Sequence, residues 1–328
     1  MKISRIILSI ISVFVVVFTV FFGLGKIGQG KELVKPSYYK GILTLWQIDS
    51  FEGGTGSRKQ FLLERARAFE RENLGVLVMV INHTITSAEE SLNNGEFPDM
   101  ISYGLGLNIT NLSELTIGNF KGGMIGDKSY AVPWCKGGYV LIVNPNKAKG
   151  NVDEIDVLTL SESEYTNPQT AVYLEGLKVK EFVSKNPLDA YVDFVSGKTA
   201  CLLGTQRDIN RLNRRGMEYQ ATPLKEYNDL YQYISVMSQS YEKKYYSDKF
   251  VEFLLSKNSQ NKLSQIGMMS LTQKGLYDGS LGELEKIEQN YTISAFSSKQ
   301  LLSEVKEQSY LALKGQKEAQ IKLKNVII

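Results

Sequence analysis

The stretch Ile42-Leu43-Thr44-Leu45-Trp46, then Glu52-Gly53-Gly54-Thr55-Gly56-Ser57, then Phe61, Leu62, Ala66 and Phe69 at helical spacing, sets the fold class. The first five residues read as a short apolar strand, and the glycines after Glu52 end it. Ser57 is placed to cap a helix whose apolar residues share one face, with Glu64, Arg65, Arg67 and Glu70 elsewhere. Asn73-Leu74-Gly75 stops that helix, and residues 76–81 form a second apolar strand. A short helix over 87–93 and a third strand over 100–102, after Pro98-Asp99, complete a β-α-β-α-β rhythm. Such a rhythm implies a largely parallel sheet with helices on its faces, an α/β fold.

Further along, residues 130–143 hold two apolar runs divided by Lys136-Gly137-Gly138. The chain then turns richer in Asn, Asp, Ser and Tyr. Periodicity predicts helices near 175–185 and over 188–195, and a strand at 199–203. It also predicts a strand at 234–237, helices over 245–255 and 259–266, and a helical C-terminal third from 282 to 319. There is no internal repeat.

Ahead of the first strand stands a run of 17 residues without a charge, from Ile6 to Phe22, preceded by Lys2 and Arg5. Its length is near the lower limit for crossing a bilayer as a helix, and it is apolar all round, unlike a core helix. The basic residues in front favour an exported remainder, although Lys26, Lys31 and Lys35 oppose that asymmetry. The expectation is a membrane anchor or signal segment and linker over 1–35, on the extracytoplasmic side of a cell membrane. The chain beyond residue 35 is long enough for two cored domains.

The bulk composition excludes several classes. A net charge of +3, with no basic cluster larger than that around Arg211–Arg215, argues against a nucleic-acid binder. Cys135 and Cys201 are not in a C-x-x-C, so neither a zinc nor a redox motif is expected; pairing and two buried thiols both stand open. The single histidine, His83, sits at a strand exit and is expected to be structural, which removes histidine-based triads and zinc sites. The glycine loop after Glu52 is neither a P-loop nor G-x-G-x-x-G, since Lys59 occupies the third glycine position. In an open α/β sheet, ligands bind beyond the carboxyl ends of the strands. Trp46, Asp49, Glu52, Asn82 and Tyr103 occupy such places.

Four segments make the chain similar to a known family. They are the opening strand with Ala68-Phe69-Glu70-Arg71-Glu72-Asn73; Gly95-Glu96-Phe97-Pro98-Asp99-Met100-Ile101; Tyr130-Ala131-Val132-Pro133 with Gly138-Tyr139-Val140-Leu141-Ile142-Val143-Asn144; and Phe194-Val195-Ser196-Gly197-Lys198-Thr199-Ala200, joined to Lys249-Phe250-Val251-Glu252-Phe253-Leu254-Leu255-Ser256. Gln260 to Met268-Met269 closes the series. In this order they resemble bacterial extracellular solute-binding protein family 1, the maltose- and oligosaccharide-binding proteins of ABC importers. The resemblance implies a two-lobed periplasmic-binding-protein-like fold with a hinge and central cleft. It places 36–133 plus 236–272 in lobe one and 134–235 plus 273–328 in lobe two, with crossings near Trp134, Ser235 and Ser270. It implies a non-catalytic receptor without cofactor or metal, whose partners are a small solute of carbohydrate type, a membrane permease and the lipid bilayer.

By position, the resemblance carries over Trp46, Glu52, Gly53, Asp99, Tyr103, Trp134, Gln206 and Arg207 as cleft residues. Trp46 and Trp134 read equally well as core, Asp99 as a turn cap, and Arg207 with Asp208 as a surface ion pair. Three departures from the family pattern stand out. Gly204-Thr205-Gln206 replaces a Gly-x-Trp platform, lobe two spans under a hundred residues from Tyr139 to Ser235, and no lipobox cysteine precedes Cys135. They support a competing reading, a membrane-anchored sensor or scaffold with a degenerate cleft. A hydrolase built on Asp49 and Glu52 lacks a defined acid–base separation.

Overall fold

The computed structural model describes residues 39–147 and 154–328; the Ile6–Phe22 run and its linker lie outside them. β1 (Gly41–Ile48) leads through the glycine loop into α1 (Arg58–Glu72). Ser57 accepts from the Gln60 amide, and Phe61, Leu62, Ala66 and Phe69 are buried, as the spacing predicted. β2 (Val76–His83) alternates buried Val76, Val78 and Val80 with outward residues. α2 (Ile85–Asn93) follows a capping box between Thr84 and Ser87, and β3 (Met100–Tyr103) is buried throughout. β4 (Met124–Ile125) and β5 (Lys128–Ser129) form a small ribbon before β6 (Val132–Lys136) and β7 (Tyr139–Val143).

The polar-looking middle of the chain is more regular than its composition predicts. It contains β8 (Ile155–Ser161), α3 (Pro168–Glu175), β9 (Val179–Lys185), α4 (Pro187–Val195), β10 (Cys201–Thr205), α5 (Gln206–Arg215) and β11 (Gln220–Pro223). The helix expected near 175–185 is instead the end of α3 and the strand β9. Gly176, at φ 72°, closes α3 in the left-handed region that a glycine enters freely, and β9 then extends beside β8 as an edge strand. After β12 (Tyr231–Val236) come α6 (Tyr241–Leu255), α7 (Lys257–Gln260), a 3₁₀ turn at Leu263–Ile266, α8 (Gly279–Lys286), α9 (Lys299–Leu313) and α10 (Lys317–Val326). The single helix expected over 259–266 is thus a four-residue helix and a 3₁₀ turn, which Gly267 closes at φ 68°.

Among the described residues the strands make two five-stranded sheets, ordered β2-β1-β3-β12-β6 and β11-β7-β10-β8-β9. The two share a plan. Each has a parallel trio in which the first strand lies between the second and third, β2-β1-β3 and β9-β8-β10. An antiparallel strand then joins the third, β12 in one sheet and β7 in the other. The chain passes between sheets at Gly137-Gly138, after β6, and again over 224–230, between β11 and β12. These passages run side by side: the Gly137 amide donates to Leu230 O at 2.7 Å, and the Leu224 amide to Tyr139 O at 3.0 Å. Asp229, buried among them, accepts from Tyr139 Oη at 2.7 Å and from the Asn167 amide at 2.7 Å. A third strand of contact is the pair of amide bonds, each 2.9 Å, between Lys136 and Met269.

Each sheet has its own core. Val140, Ile142, Phe194, Leu202, Ile209 and Leu284 pack around the second sheet. Around the first, Trp46, Ile48, Ile101, Tyr103 and Tyr233 pack with Leu302, Val305, Ala312 and Leu323 from α9 and α10. α9 also reaches the second sheet's side, where Ser309 and Thr170 hydroxyls lie 2.8 Å apart. Cys135 and Cys201 are both free thiols.

Candidate ligand cleft

A cleft of about 710 Å³ opens where the carboxyl ends of β1, β8 and β9 face one another. One wall is Asp49-Ser50-Phe51-Glu52, the loop leaving β1. The other is Glu162-Ser163-Glu164-Tyr165, leaving β8, with Ser184-Lys185-Asn186-Pro187 at the end of β9 and Lys306 from α9. Both walls stand at strand ends, where the parallel arrangement predicts ligand sites.

The charges lining it are matched. Arg58, buried beneath the loop, bonds Asp49 at 2.6 Å and the Phe51 carbonyl at 2.5 Å. Lys306 reaches Glu162 at 2.6 Å and the Ser163 carbonyl at 3.0 Å, and Gln169 also donates to Glu162. Lys299 bonds Glu164 at 2.7 Å, and this partner holds the exposed carboxyl below its ordinary range. Lys185 is paired with Asp193. Each of these carboxylates, on Asp49, Glu162 and Glu164, thus lines the cleft with a cation beside it. The hydroxyl of Ser50, which is buried on the lining, has no hydrogen-bond partner among the described residues. It lies so close to Gly104 that a Cβ there would sit 1.8 Å from it. Tyr165 adds a half-buried ring, and burial raises its phenol pKa. Such a set offers acceptors, hydroxyls and an aromatic face to a neutral, hydroxyl-bearing ligand.

Glu52, on the cleft wall, is also paired with Arg207 and lies 3.9 Å from Arg211, both on α5 beside the second sheet. Burial lowers the Arg207 pKa, and Arg211 beside it lowers it further. Burial also pushes the neighbouring Asp208 carboxyl up to about 6, although it accepts from the Thr205 amide at 2.9 Å in the cap of α5.

Of the eight residues named from sequence, the structure brings Glu52 and Arg207 into contact, while Gly53 lies on the same loop, packed on Arg58. Gln206 is fully buried, and its Oε1 accepts from the Gly138 amide at 3.0 Å, bracing the passage between sheets. Trp134 is 0% exposed: it stacks on Phe61 at 5.5 Å and donates to Ser102 Oγ at 2.9 Å. Tyr103 is equally buried, its hydroxyl 3.1 Å from that of Ser235. Trp46 lies against His83 at 4.4 Å, the last residue of β2. Asp99 is turned to the opposite end of the sheet, where it accepts from the Thr44 amide, Ser238 and Lys243. The glycine loop, read as an anion receiver, spends its close approach on protein. A Cβ on Gly54 would lie 1.9 Å from Ile266 O, and the Gly56 amide donates to that same carbonyl at 3.1 Å. The second wall, 162–165 and 184–187 with Lys306, had a signal in the apolar, β-branched-rich run 155–160, which predicts a strand ending at Ser161-Glu162-Ser163-Glu164-Tyr165.

No family model matches the chain, and no curated protein does. Solved structures do. An ABC substrate-binding protein of Listeria monocytogenes in complex with cycloalternan aligns over 88% of this chain and 97% of its own, at 14% identity and a TM-score of 0.57. The sugar-binding protein of Xanthomonas citri aligns over 87% and 95%, at 14% identity and 0.57. The maltose/maltodextrin-binding domain from Bdellovibrio bacteriovorus bound to maltotriose aligns over 87% and 99%, at 12% identity and 0.53. The chain has the two-lobed α/β fold of these proteins.

Proposed function

We propose that this chain is an extracytoplasmic solute-binding protein of an ABC importer, one that captures a carbohydrate between its lobes and hands it to a membrane permease. The observation that carries this reading is the cleft between the strand ends, with its paired carboxylates, the partnerless Ser50 hydroxyl and the Tyr165 ring. The similarity to proteins solved with cycloalternan and maltotriose supports the ligand class. The chain acts as a receptor: closure of the lobes on the ligand, driven by its higher affinity for the closed form, is the mechanism.

In this reading residues 6–22 span the membrane as an uncleaved helix and tether the body. The lobes follow the division 36–133 plus 236–272 against the remainder, with Gly137-Gly138 and 224–230 as hinge strands. α9 and α10 join the first lobe's core while bracing the second. Tyr165 stacks on a sugar ring; Asp49, Glu52, Glu162 and Glu164 receive hydroxyls; and Arg207 pairs with Glu52. Trp46, Tyr103, Trp134 and Gln206 shape the walls from behind, Asp99 ties β1 to the entry of β3 at the far end of the sheet, and Gly53 seats Arg58.

The test is titration calorimetry and thermal shift of the purified chain against maltose, maltotriose, cyclic α-glucans, amino acids and polyols. A bound sugar at a hundred times its Kd stabilises the fold by about 2.7 kcal/mol through mass action. A response to α-glucans alone is expected. If amino acids or polyols raise the melting temperature and no sugar does, the carbohydrate assignment is wrong; if nothing does, the receptor reading gives way to the sensor or scaffold.

A further inference from the structure

Parallel sheets are ordinarily covered on both faces, and the first sheet departs from this at one end. Ile42 of β1 stands opposite Leu77 of β2, and Thr44 opposite Met79. The alternate residues Leu43, Leu45, Val76 and Val78 are buried. On the other face Trp46 and Ile48 pack with Ile85 and Ala88 of α2, yet Ile42, Leu77 and Met79 are 51%, 54% and 47% exposed. The cause is length. α2 has nine residues, about 14 Å of helix, against eight-residue strands of about 26 Å. It starts beside the carboxyl end of β2 and stops before reaching the strand beginnings. Leu74, in the turn before β2, is 88% exposed, and Phe97, ahead of β3, is 45% exposed. Five large apolar side chains thus gather at the amino end of the parallel trio, opposite the end that holds the cleft.

The polypeptide arrives at that same end. The Gly41 amide donates to Gly75 O at 3.0 Å, and residues 23–38 lead back from Tyr39 to the uncharged run ending at Phe22. Those 16 residues extend to at most about 55 Å, so the amino end stays within reach of whatever holds that run. Around the apolar group, Lys40, Arg71, Glu72 and Glu96 are exposed, two basic and two acidic residues that make a mixed rim without basic excess. Contact through this face therefore depends on apolar insertion more than on attraction to anionic lipid.

We propose that the amino end of the first sheet is a bilayer-contact face, with Ile42, Leu74, Leu77, Met79 and Phe97 seated at the boundary of headgroups and acyl chains. The assignment rests on the reading of residues 6–22 as a membrane anchor.

Site-directed spin labelling tests it. The full chain, with Cys135→Ala and Cys201→Ala, carries a nitroxide at Leu77→Cys or at Leu188→Cys, an exposed position on α4. It is reconstituted into vesicles of phosphatidylcholine and phosphatidylglycerol in equal parts. At position 77, relaxation by lipid-soluble oxygen should exceed relaxation by a water-soluble nickel chelate; at 188 the order should reverse. Both should hold at low and high salt. Retention of the chain in alkali-washed vesicles with a label at 77 as water-exposed as that at 188 overturns the contact face and leaves the anchor standing. Dipolar broadening between labels at 77 assigns the face to a second copy and also overturns it. Loss of the chain from the vesicles in alkali removes the anchor, and the proposal with it.

Discussion

Tyr165 and Trp134 divide between them the two uses of an aromatic ring in this molecule. Tyr165 lines the cleft, half-buried, while Trp134 is sealed between Phe61 and Ser102. Tyr165→Ala is expected to raise the Kd for sugar about tenfold, near the upper range for a ring contact, with little change in melting temperature. Trp134→Phe should do the converse, costing about 1–2 kcal/mol through the lost indole hydrogen bond and volume while the Kd holds; calorimetry beside urea unfolding separates them. Lys136 offers a second test. Its ammonium donates to Ile287 O at 2.7 Å but is almost wholly buried, and burial brings its pKa from 10.5 down to about 8. Between these values the folded chain binds fewer protons than the unfolded one, so this group's contribution to stability rises with pH across that window. The full difference is about 3 kcal/mol. Subtracting Lys136→Met unfolding free energies from wild-type values at the two ends of the window should expose that slope; a flat difference rejects it.

At the scale of elements, the glycine loop between β1 and α1 is a packing device. Gly54 lets the loop rest on the Ile266-Gly267 backbone, so Gly54→Ala is expected to cost about 1–3 kcal/mol by overpacking, measured by denaturant unfolding with no change in sugar specificity. The strands of the first sheet are readable because apolar residues alternate with turns at Gly53-Gly54 and Asn73-Leu74-Gly75, signals internal to the segment. β9 is not: Val179, Phe182 and Val183 are only half-buried on an edge, and their partner β8 supplies the order. The site divides in the same way. Glu52 and Arg207 are found by position along the chain. Ser50, Glu162, Tyr165 and Lys306 meet only through tertiary packing, which no local pattern encodes. Trp46, Tyr103 and Trp134 carry the opposite ambiguity, since a strand-end aromatic reads the same whether it faces core or cleft.

For the whole molecule, the Glu52 pair with Arg207 joins a loop of the first sheet to a helix on the second. Part-exposed, it is worth on the order of 1 kcal/mol. Removing it by Glu52→Gln should shift the unliganded closed population about fivefold toward open, seen as a larger radius of gyration in X-ray scattering that sugar then reverses. An unchanged radius would mean that the hinge strands alone set the resting form. The shared plan of the two sheets hides a difference in how they are completed. Every strand of the second lies between residues 139 and 223, whereas the first waits for β12, and its core waits for Leu302, Val305, Ala312 and Leu323. A ribosome building this chain from its N-terminus delivers every strand of the second sheet in mid-synthesis, and Leu281 and Leu284 complete that core soon after β12. The first lobe, begun earliest, stays an open apolar surface until the last helices emerge, and it is there that a chaperone would be needed.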